Sequence, residues 1–339
     1  MLIPVENRSQ FPPHNLALEE HVLRRFDPQN DYAVLWQNAP AVIVGRFQNT
    51  AEEVNQPYVE QEGVAVVRRL SGGGAVYHDL GNLCFTFVVR QANGRAGNFD
   101  YFTVPVVETL RRFGVKAERS SRNDLTIEGQ KFSGNAQYVS GGRLLHHGTI
   151  LFDSDLDAVA RVLHVAKDKI ESHGVKSVRS RVTNVRPYLK SDVALEEFAK
   201  VLMEEIGRQA GGIGPMHHLS DVDESQVDEL ITRRYGNWTW NWGDSPPFTL
   251  RAKRRFATGA VDVRLDAQGG IIRSARIFGD FLGLRDVGEL EAALSSVPFD
   301  VAAVRSALSP LPVAEYLGGI GLEDVLGLLF DEVSDPATA

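Results

Sequence analysis

The sequence predicts a protein of two domains built from both β-strands and α-helices, and three observations lead to this expectation. The chain has 339 residues, which is enough for two separately folded cores. Apolar residues form strand-like runs such as 83–89, and they recur at helical spacing in runs such as 101–113. The proline-containing segment 244–247 has the composition of a linker, so we expect domains at 1–245 and 248–339.

The first part of the chain predicts a helix followed by a hairpin. Apolar spacing indicates a helix over 15–26, with Asn15 as its N-cap. Two short apolar runs at 32–36 and 41–44 flank the turn-like segment 38–40, a pattern that predicts a β-hairpin.

A glycine run in the first domain is the strongest functional signal. Ser71-Gly72-Gly73-Gly74 follows Arg68-Arg69 and lies between strand-like runs at 63–67 and 83–89. Because glycine has no Cβ, its backbone can approach a ligand closely and point N–H groups at an anion. With two arginines beside it, the run predicts a cradle for a phosphate or an acyl phosphate that is neither a Walker A loop nor a dinucleotide fingerprint. The alternative is a flexible loop with solvated arginines.

A second candidate site lies on a predicted hairpin. The strand-like run 125–127 is followed by the turn Glu128-Gly129 and then by Lys131. Small residues at Ser133-Gly134 would allow the lysine to lie close to a ligand. The alternative is a solvated hairpin lysine, which is the commoner fate of a single lysine.

Two adjacent histidines lie on the next predicted strand, 144–152. His146 and His147 would point to opposite faces, so at most one of them faces a site and they cannot chelate one metal together. Cys84 lies in a strand that is apolar on both faces, which predicts a small core residue rather than a reactive thiol.

The same patterns predict the remaining elements. Further helices are expected at 101–113, 156–163 (N-cap Asp153 or Ser154), 195–206 (N-cap Ser191 or Asp192), 286–295, 301–307 and 321–330. Further strands are expected at 115–118, 248–257, 260–265 and 271–278, and Trp238, Trp240 and Trp242 predict an extended segment with one aromatic face.

Composition excludes several classes of protein. The net charge of -8 argues against a general nucleic-acid binder. With one cysteine the chain cannot form an internal disulfide, which fits a reducing compartment. The first fourteen residues lack the apolar core of a signal peptide, and no apolar run is long enough to span a bilayer. We therefore expect a cytoplasmic protein.

Taken together, these motifs resemble the bacterial lipoate–protein ligases over nearly the whole chain. The resemblance rests on the segments 68–82, 122–125, 131–134, 146–149 and 177–184, and the region from about 248 is similar to the accessory domain of the single-chain ligases. It implies an α+β fold related to the catalytic domain of the biotin protein ligases, with mixed sheets flanked by helices, and a small α+β C-terminal domain.

The resemblance also implies an activity. Ligases of this family form lipoyl-AMP from lipoate and ATP with Mg2+, release pyrophosphate, and pass the lipoyl group to a lysine of a lipoyl domain. The expected partners are lipoyl domains of 2-oxo acid dehydrogenase complexes and the glycine cleavage H protein. No nucleic acid or membrane partner is expected, and the protein is expected to be a monomer.

Roles for particular residues follow from the same resemblance. Lys131 is expected to be the catalytic lysine, in contact with both acyl and phosphate oxygens. Asp124 is expected to bind magnesium or to orient the lysine. The expected ATP-binding residues are Arg69, Gly74, Ala75, Val76, Tyr77, Asp124, Lys131 and Arg181, and the expected lipoate-binding residues are Ser71, Gly73, Lys131, His147 and Thr149.

Two alternatives share this fold. An octanoyl or lipoyl transferase would take its acyl group from a carrier without ATP, but such transferases typically lack the C-terminal region. A non-catalytic lipoate-binding relative would have lost turnover, but Lys131, Arg69 and the glycine run are intact. The sequence does not decide between lipoate and octanoate as the preferred acid.

Overall fold

A computed structural model of the protein describes residues 2–91, 95–120, 123–163, 181–242, 250–268 and 270–330. The chain divides into two compact units. The first contains Met1–Val44, Thr50–Arg69 and Ala75–Trp242, and the second contains Gly45–Asn49, Leu70–Gly74 and Gly243–Ala339. The predicted linker at 244–247 lies outside the described residues, so its position stays a prediction. Within the described ranges, no helix has the length and apolar character needed to cross a membrane.

The first unit is built on a mixed seven-stranded sheet. Its order is β1-β2-β6-β10-β9-β8-β7, with β1 and β2 parallel and the other pairs antiparallel. The strands are β1 Leu2–Val5, β2 Asp31–Trp36, β6 Asn82–Arg90, β7 Glu118–Arg119, β8 Asp124–Ile127, β9 Gln130–Ser140 and β10 Arg143–Leu151.

Helices cover both faces of this sheet. One face packs its apolar side chains against α4 and α6, forming a core that includes Phe85, Phe102 and Phe198. The other face meets α1, and it carries polar side chains among the apolar ones. The helices of this unit are α1 Pro12–Arg25, α2 Thr50–Glu53, α3 Gln56–Gln61, α4 Phe99–Arg112, α5 Leu156–Val162, α6 Leu195–Gln209, α7 Asp221–Leu230 and α8 Trp238–Asn241, with a 3-10 turn at Arg186–Tyr188 and a π-helical turn at Ile231–Tyr235.

A second, three-stranded sheet positions the start of the glycine run. β3 Ala41–Val44 lies in its centre, with β4 Ala65–Arg68 parallel on one side and β5 Val76–His78 antiparallel on the other. The chain between β4 and β5 therefore has to cross the end of β3, and the glycine run lies in this crossing.

The second unit has its own antiparallel sheet and helices. The sheet order is β11-β12-β13, formed by Leu250–Phe256, Gly259–Gln268 and Ile271–Gly279. Its apolar face packs against four helices: α9 Gly288–Leu294, α10 Val301–Leu308, α11 Val313–Tyr316 and α12 Leu322–Phe330. The predicted α+β fold, with mixed sheets flanked by helices and a small α+β C-terminal part, is confirmed.

Two local predictions are wrong. The runs at 32–36 and 41–44 are strands, but they belong to different sheets and do not form a hairpin. The tryptophan segment is helical at Trp238–Asn241 instead of extended.

The predicted N-caps are also incorrect. Helix α1 begins at Pro12, because two prolines supply its first turn, and Asn15 lies inside it. Asp155 caps α5, and no side chain caps α6. Capping residues are common in loops, so the pattern locates a helix start only to within a few residues.

A buried arginine fixes α1 against the large sheet. Nη1 of Arg143, on β10, donates to the carbonyl oxygens of Val22 at 3.0 Å and Phe26 at 3.1 Å. These carbonyls lie at the C-terminal end of α1, where backbone acceptors lack partners within the helix and the helix dipole favours a cation. The side chain also lies over the ring of Tyr32.

We expect Arg143→Met to destabilise the protein by roughly 2–4 kcal/mol, since it leaves these buried carbonyls without a donor. Arg90→Met is the matched control, because Arg90 is paired with Arg143 across the sheet but is exposed. The measurement is urea unfolding followed by circular dichroism. Equal midpoints for the two variants would contradict the capping role of Arg143.

Candidate functional site

A β-bulge turns the predicted catalytic lysine to one particular face of the large sheet. Asp124 is opposite Gly134 across β8 and β9, whereas Thr126 is opposite Lys131. Two residues on β8 therefore correspond to three on β9, and Phe132 is the extra residue. Lys131 and Gly134 are three residues apart, so in a strand without a bulge strict alternation would place them on opposite faces. With it, Lys131 shares a face with Asp124 and Gly134, while Phe132 is buried in the core on the other face.

The lysine ammonium lies in a fixed polar environment on that face. Nζ of Lys131 is 2.8 Å from Oδ1 of Asp124. A Cβ built on Gly134 would be only 2.9 Å from the same Nζ, so this position requires glycine for the lysine to lie where it does. Both side chains of the ion pair are partly exposed. Lys131 is therefore partly solvated, as in the alternative interpretation, but its ammonium is paired with Asp124.

Thr149, on the neighbouring strand β10, lies beside the Lys131–Asp124 ion pair. Its Oγ1 lies 3.3 Å from the backbone nitrogen of Gly134, which donates to it. The backbone on the other side of Lys131 is held by the segment 182–183, where the nitrogen of Thr183 donates to the Lys131 carbonyl at 2.8 Å. Arg181 immediately precedes that segment and is half-buried. The structure therefore brings Asp124, Lys131 and Thr149 together.

The two adjacent histidines face opposite sides of the sheet, as predicted. His146 lies in the core, where its ring stacks on Phe102 with centroids 4.4 Å apart, and burial lowers its pKa well below the ordinary value. His147 lies on the same face as Thr149, two residues along β10. Its Nδ1 is 3.0 Å from Oε1 of Glu19, a buried carboxylate of α1. His147 is thus the histidine available to a site.

Glu19 connects several of the polar groups on this face. Besides His147, it accepts a hydrogen bond of 2.5 Å from Thr86, whose hydroxyl in turn accepts one from the indole of Trp36 at 2.8 Å. Its charge also favours the protonated form of Arg69. The sequence pattern predicts only a helix over 15–26 and does not indicate this role for Glu19. The available signal was an acidic pair, Glu19-Glu20, between the apolar residues 16–18 and 22–23 of α1.

The two arginines before the glycine run are both buried, so the interpretation of them as solvated is wrong. Arg69 donates from Nη1 to the carbonyl of Ile43 at 3.1 Å, and burial lowers the pKa of its guanidinium to about 10. Arg68 instead has a structural role, since its Nε donates to the carbonyl of Trp240 and Nη2 to Oγ1 of Thr50. Only Arg69 is near the groups described above.

The glycine run itself packs within the second unit. The backbone nitrogen of Gly73 donates to the Phe281 carbonyl at 3.0 Å, and its φ of 92° is one that favours glycine. A Cβ at Gly72 would lie 2.4 Å from the same carbonyl oxygen, and one at Gly45 would lie 1.9 Å from the carbonyl oxygen of Gly73. Ser71 is fully buried. In contrast, a Cβ at Gly74 would meet nothing within 4 Å.

The residues after the glycines return to the first unit. Ala75 precedes β5, which contains Val76 and Tyr77. The ring of Tyr77 packs against the apolar cluster that includes Val59 of α3 and Val162 of α5, and burial raises its pKa to about 12. Any ligand contact from this segment is therefore expected from its backbone.

The described residues contain no group of three or more His, Cys, Asp or Glu side chains placed to hold a metal. Asp124 is a single carboxylate that already meets Lys131. Magnesium commonly uses one or two protein carboxylates together with substrate phosphates and water, so Asp124 fits a site that a nucleotide completes. Cys84 is buried and burial raises the pKa of its thiol, which confirms the prediction of a core residue.

Comparisons with known proteins match both parts of the chain. The family model for the lipoyl protein ligase A/B catalytic domain matches residues 12–207, and that for the bacterial lipoate protein ligase C-terminus matches residues 245–329. Lipoate-protein ligase LplJ of Bacillus subtilis is 43% identical over 329 residues, covering 96% of this chain and 99% of the relative. Lipoate–protein ligase 1 of Staphylococcus aureus is 39% identical, covering 95% and 98%.

Solved structures show the same fold. P. falciparum LipL1 in complex with lipoate superposes with a TM-score of 0.79 at 24% identity, covering 92% of this chain and 94% of that one. A lipoate-protein ligase A bound with ATP gives a TM-score of 0.62 at 27% identity, covering 72% and 96%. A bipartite lipoate protein ligase from Thermoplasma acidophilum, studied with its E2 lipoyl domain, gives 0.64 at 30% identity, covering 74% and 98%. The matched catalytic and C-terminal models, together with relatives that align over nearly the whole chain, show that this chain belongs to the lipoate–protein ligase family.

Proposed function

We propose that the chain activates lipoate with ATP at the face of the large sheet that carries Lys131, and then passes the lipoyl group to a lysine of a lipoyl domain. In the first step a carboxylate oxygen of lipoate attacks the α-phosphorus of ATP. An O–P bond forms, the bond to the pyrophosphate oxygen breaks, and pyrophosphate leaves. In the second step the acceptor amine attacks the acyl carbon, AMP leaves, and the amine loses a proton.

The position of Lys131 carries this proposal. Adenylation brings a carboxylate towards a phosphate, so two negatively charged groups must approach each other. A cation that contacts oxygens of both lowers the barrier, and it does so best when it is already held in place. Lys131 meets this requirement, because the bulge at Phe132 sets its face and Asp124 holds its ammonium at 2.8 Å.

The carboxylate of Asp124 suits either of its two predicted roles. Its contact with Lys131 supports the lysine-orienting role. A bound Mg2+ would neutralise charge on the phosphates, and Asp124 is the residue here that would hold it. The ATP contacts expected of Arg69, Arg181 and the backbone of Gly74 to Tyr77 remain predictions.

The acyl end of the substrate is expected beside Thr149 and His147. Both side chains lie on the same face of β10, and Thr149 Oγ1 lies within hydrogen-bond distance of Gly134, below the Lys131 ammonium. An acid whose carboxylate meets Lys131 would therefore extend along this face towards His147 and Glu19. The acyl contacts expected of Ser71 and Gly73 remain predictions.

A lipoyl domain is the proposed acceptor. The T. acidophilum ligase was studied together with its E2 lipoyl domain, which supports an acceptor of this kind for the present chain. The match of residues 245–329 to the ligase C-terminus supports the ATP-dependent ligase over the transferase. Incubation with lipoate, ATP and an apo lipoyl domain should add a lipoyl mass to the domain. A mass gain only with octanoyl carrier protein would instead support the transferase.

Lys131→Ala should lower lipoate-dependent pyrophosphate release by about tenfold or more, because it removes the cation at the reacting oxygens. A charge-assisted hydrogen bond contributes about 1.5–3 kcal/mol, and about 1.4 kcal/mol corresponds to tenfold in rate. Lys116→Ala is the control, since Lys116 also forms an ion pair, with Glu118 at 2.7 Å, but is exposed. Unchanged release by Lys131→Ala would refute the assigned role.

Substitutions in the glycine run separate folding from ligand approach. Gly73→Val should abolish adenylation, because a β-branched residue disfavours the φ of 92° at this position. Gly74→Ala should leave the folded protein unchanged, since a Cβ there meets nothing within 4 Å. If the cradle binds ATP, Gly74→Ala should raise KM for ATP with an unaltered melting temperature. Wild-type kinetics in both variants would show that the cradle lies elsewhere.

Truncation after Asp244 should impair adenylation more than acyl transfer. The deletion removes Phe281, whose carbonyl holds Gly73, so the glycine run loses its packing while the core of the large sheet is retained. Transfer from supplied lipoyl-AMP needs only that the acceptor lysine be positioned, since the mixed anhydride is already formed. The two half-reactions are measured separately on protein shown to be folded by circular dichroism. Equal loss of both would contradict a specific role in activation.

A further inference from the structure

His78 is a buried histidine with one unsatisfied nitrogen. It ends strand β5 and is 3% exposed. Its Nε2 has no hydrogen-bond partner within the part of the chain that the structure describes. Buried polar atoms are almost always paired, so an orphaned one calls for an explanation, such as a partner supplied by water or by a ligand.

Two asparagines determine which nitrogen of His78 carries the proton. Nδ2 of Asn15 donates to Oδ1 of Asn38 at 2.8 Å and to the carbonyl of Gln37 at 2.8 Å, which fixes the orientation of both amides. Asn38 therefore presents its Nδ2 group to Nδ1 of His78, 3.1 Å away. Because Nδ1 accepts this hydrogen bond, the proton of the neutral ring lies on Nε2.

The ring is neutral under ordinary conditions. Burial, and to a lesser degree the charge of Arg69, lowers the pKa of His78 to about 3. The ring therefore presents a single N–H group at Nε2. This group is a donor, oriented by buried hydrogen bonds before any ligand arrives.

The position of His78 relative to Lys131 follows from the sheet register. Nδ1 of His78 is 3.6 Å from Sγ of Cys84 on β6. Cys84 is opposite Thr149 on β10. Thr149 in turn contacts Gly134 on β9, and the Lys131 ammonium lies above Gly134. Gly134 and Cys84 are therefore two strand spacings apart, or roughly 10 Å.

Lipoate has a carboxylate at one end and a dithiolane ring with two sulfurs at the other, joined by a flexible pentanoate arm. With the carboxylate at Lys131, the extended arm covers a distance of this size and brings the ring to the neighbourhood of His78. Sulfur is a weak hydrogen-bond acceptor. A saturated acid such as octanoate has only methyl and methylene groups at the same place.

We propose that the Nε2–H group of His78 donates a hydrogen bond to a dithiolane sulfur, so that His78 determines specificity for lipoate over octanoate. This inference rests on the proposed function for the acid that is bound. It also gives the orphaned donor a hydrogen-bond partner in the bound state. For octanoate the donor would remain unpaired beside an apolar chain, which disfavours that acid.

Two substitutions separate the two nitrogens of His78. His78→Asn retains an acceptor for Asn38 but is too short to replace Nε2, whereas His78→Gln places an amide N–H near the position of Nε2. Dissociation constants for lipoate and octanoate are measured by calorimetry in the absence of ATP. The preference for lipoate, as the ratio of the two constants, should fall roughly three- to tenfold in His78→Asn, as expected for one hydrogen bond. In His78→Gln the ratio should stay within about twofold of wild type.

An equal change for both acids in His78→Asn would overturn the proposal, since it would indicate a structural role. Lipoate-dependent pyrophosphate release by the wild-type protein tests the proposed function separately, because calorimetry without ATP does not depend on turnover.

If the variants do not fold, the wild-type protein still provides a test. Nitrogen-15 NMR of the histidine rings should show His78 as the neutral Nε2–H tautomer, with a proton resonance that shifts on addition of lipoate and much less with octanoate. The other tautomer, or equal shifts with both acids, would refute the proposal.

Discussion

The single extra residue in β9 is the constraint on which the site depends. Phe132 is anchored in the apolar core, and the bulge formed there interrupts the alternation between Lys131 and Gly134. Lys131 thereby leaves the core face and joins Asp124 and Gly134. A lysine on the core face would have to bury its charge among phenylalanines, at a large desolvation cost. The apolar packing of one side chain thus fixes the direction of the neighbouring charged one.

The two faces of the large sheet have different tasks. One face packs phenylalanine and aliphatic side chains against α4 and α6, which supplies a large share of the apolar burial of the first unit. The other holds Glu19, Thr86 and His147 in a buried hydrogen-bonded network. Because burying such groups costs free energy even when they are paired, this network is poor evidence for stability. Apolar packing on the first face offsets the free-energy cost of this network. The side chains of the polar face can therefore be arranged for ligand binding.

Local patterns were sufficient for most elements, whereas Lys131 was singled out by the family resemblance. Alternation located strand β6, and helical spacing located α4 within two residues of each end. The pattern could not decide strand partners, because pairing depends on contacts between distant segments. The segments 32–36 and 41–44 looked like a hairpin, yet each is stabilised by a different sheet. The tryptophan spacing failed for a related reason: Trp240 donates to the Arg68 carbonyl, a tertiary contact that favours a helical turn.

The site was predictable only where the chemistry is visible in a short motif. Lys131, His147 and the glycine run were proposed in this way, and Gly73 does adopt a positive φ, which favours glycine. Glu19 and His78 could not, because their significance comes from partners 128 and 40 residues away in sequence. His78 shows the limit most clearly, since its proton is located by an asparagine from the loop after β2. A donor whose direction is set before binding contributes to selectivity without a further ordering cost, which is why a buried polar network can be retained in a fold that would be more stable without it.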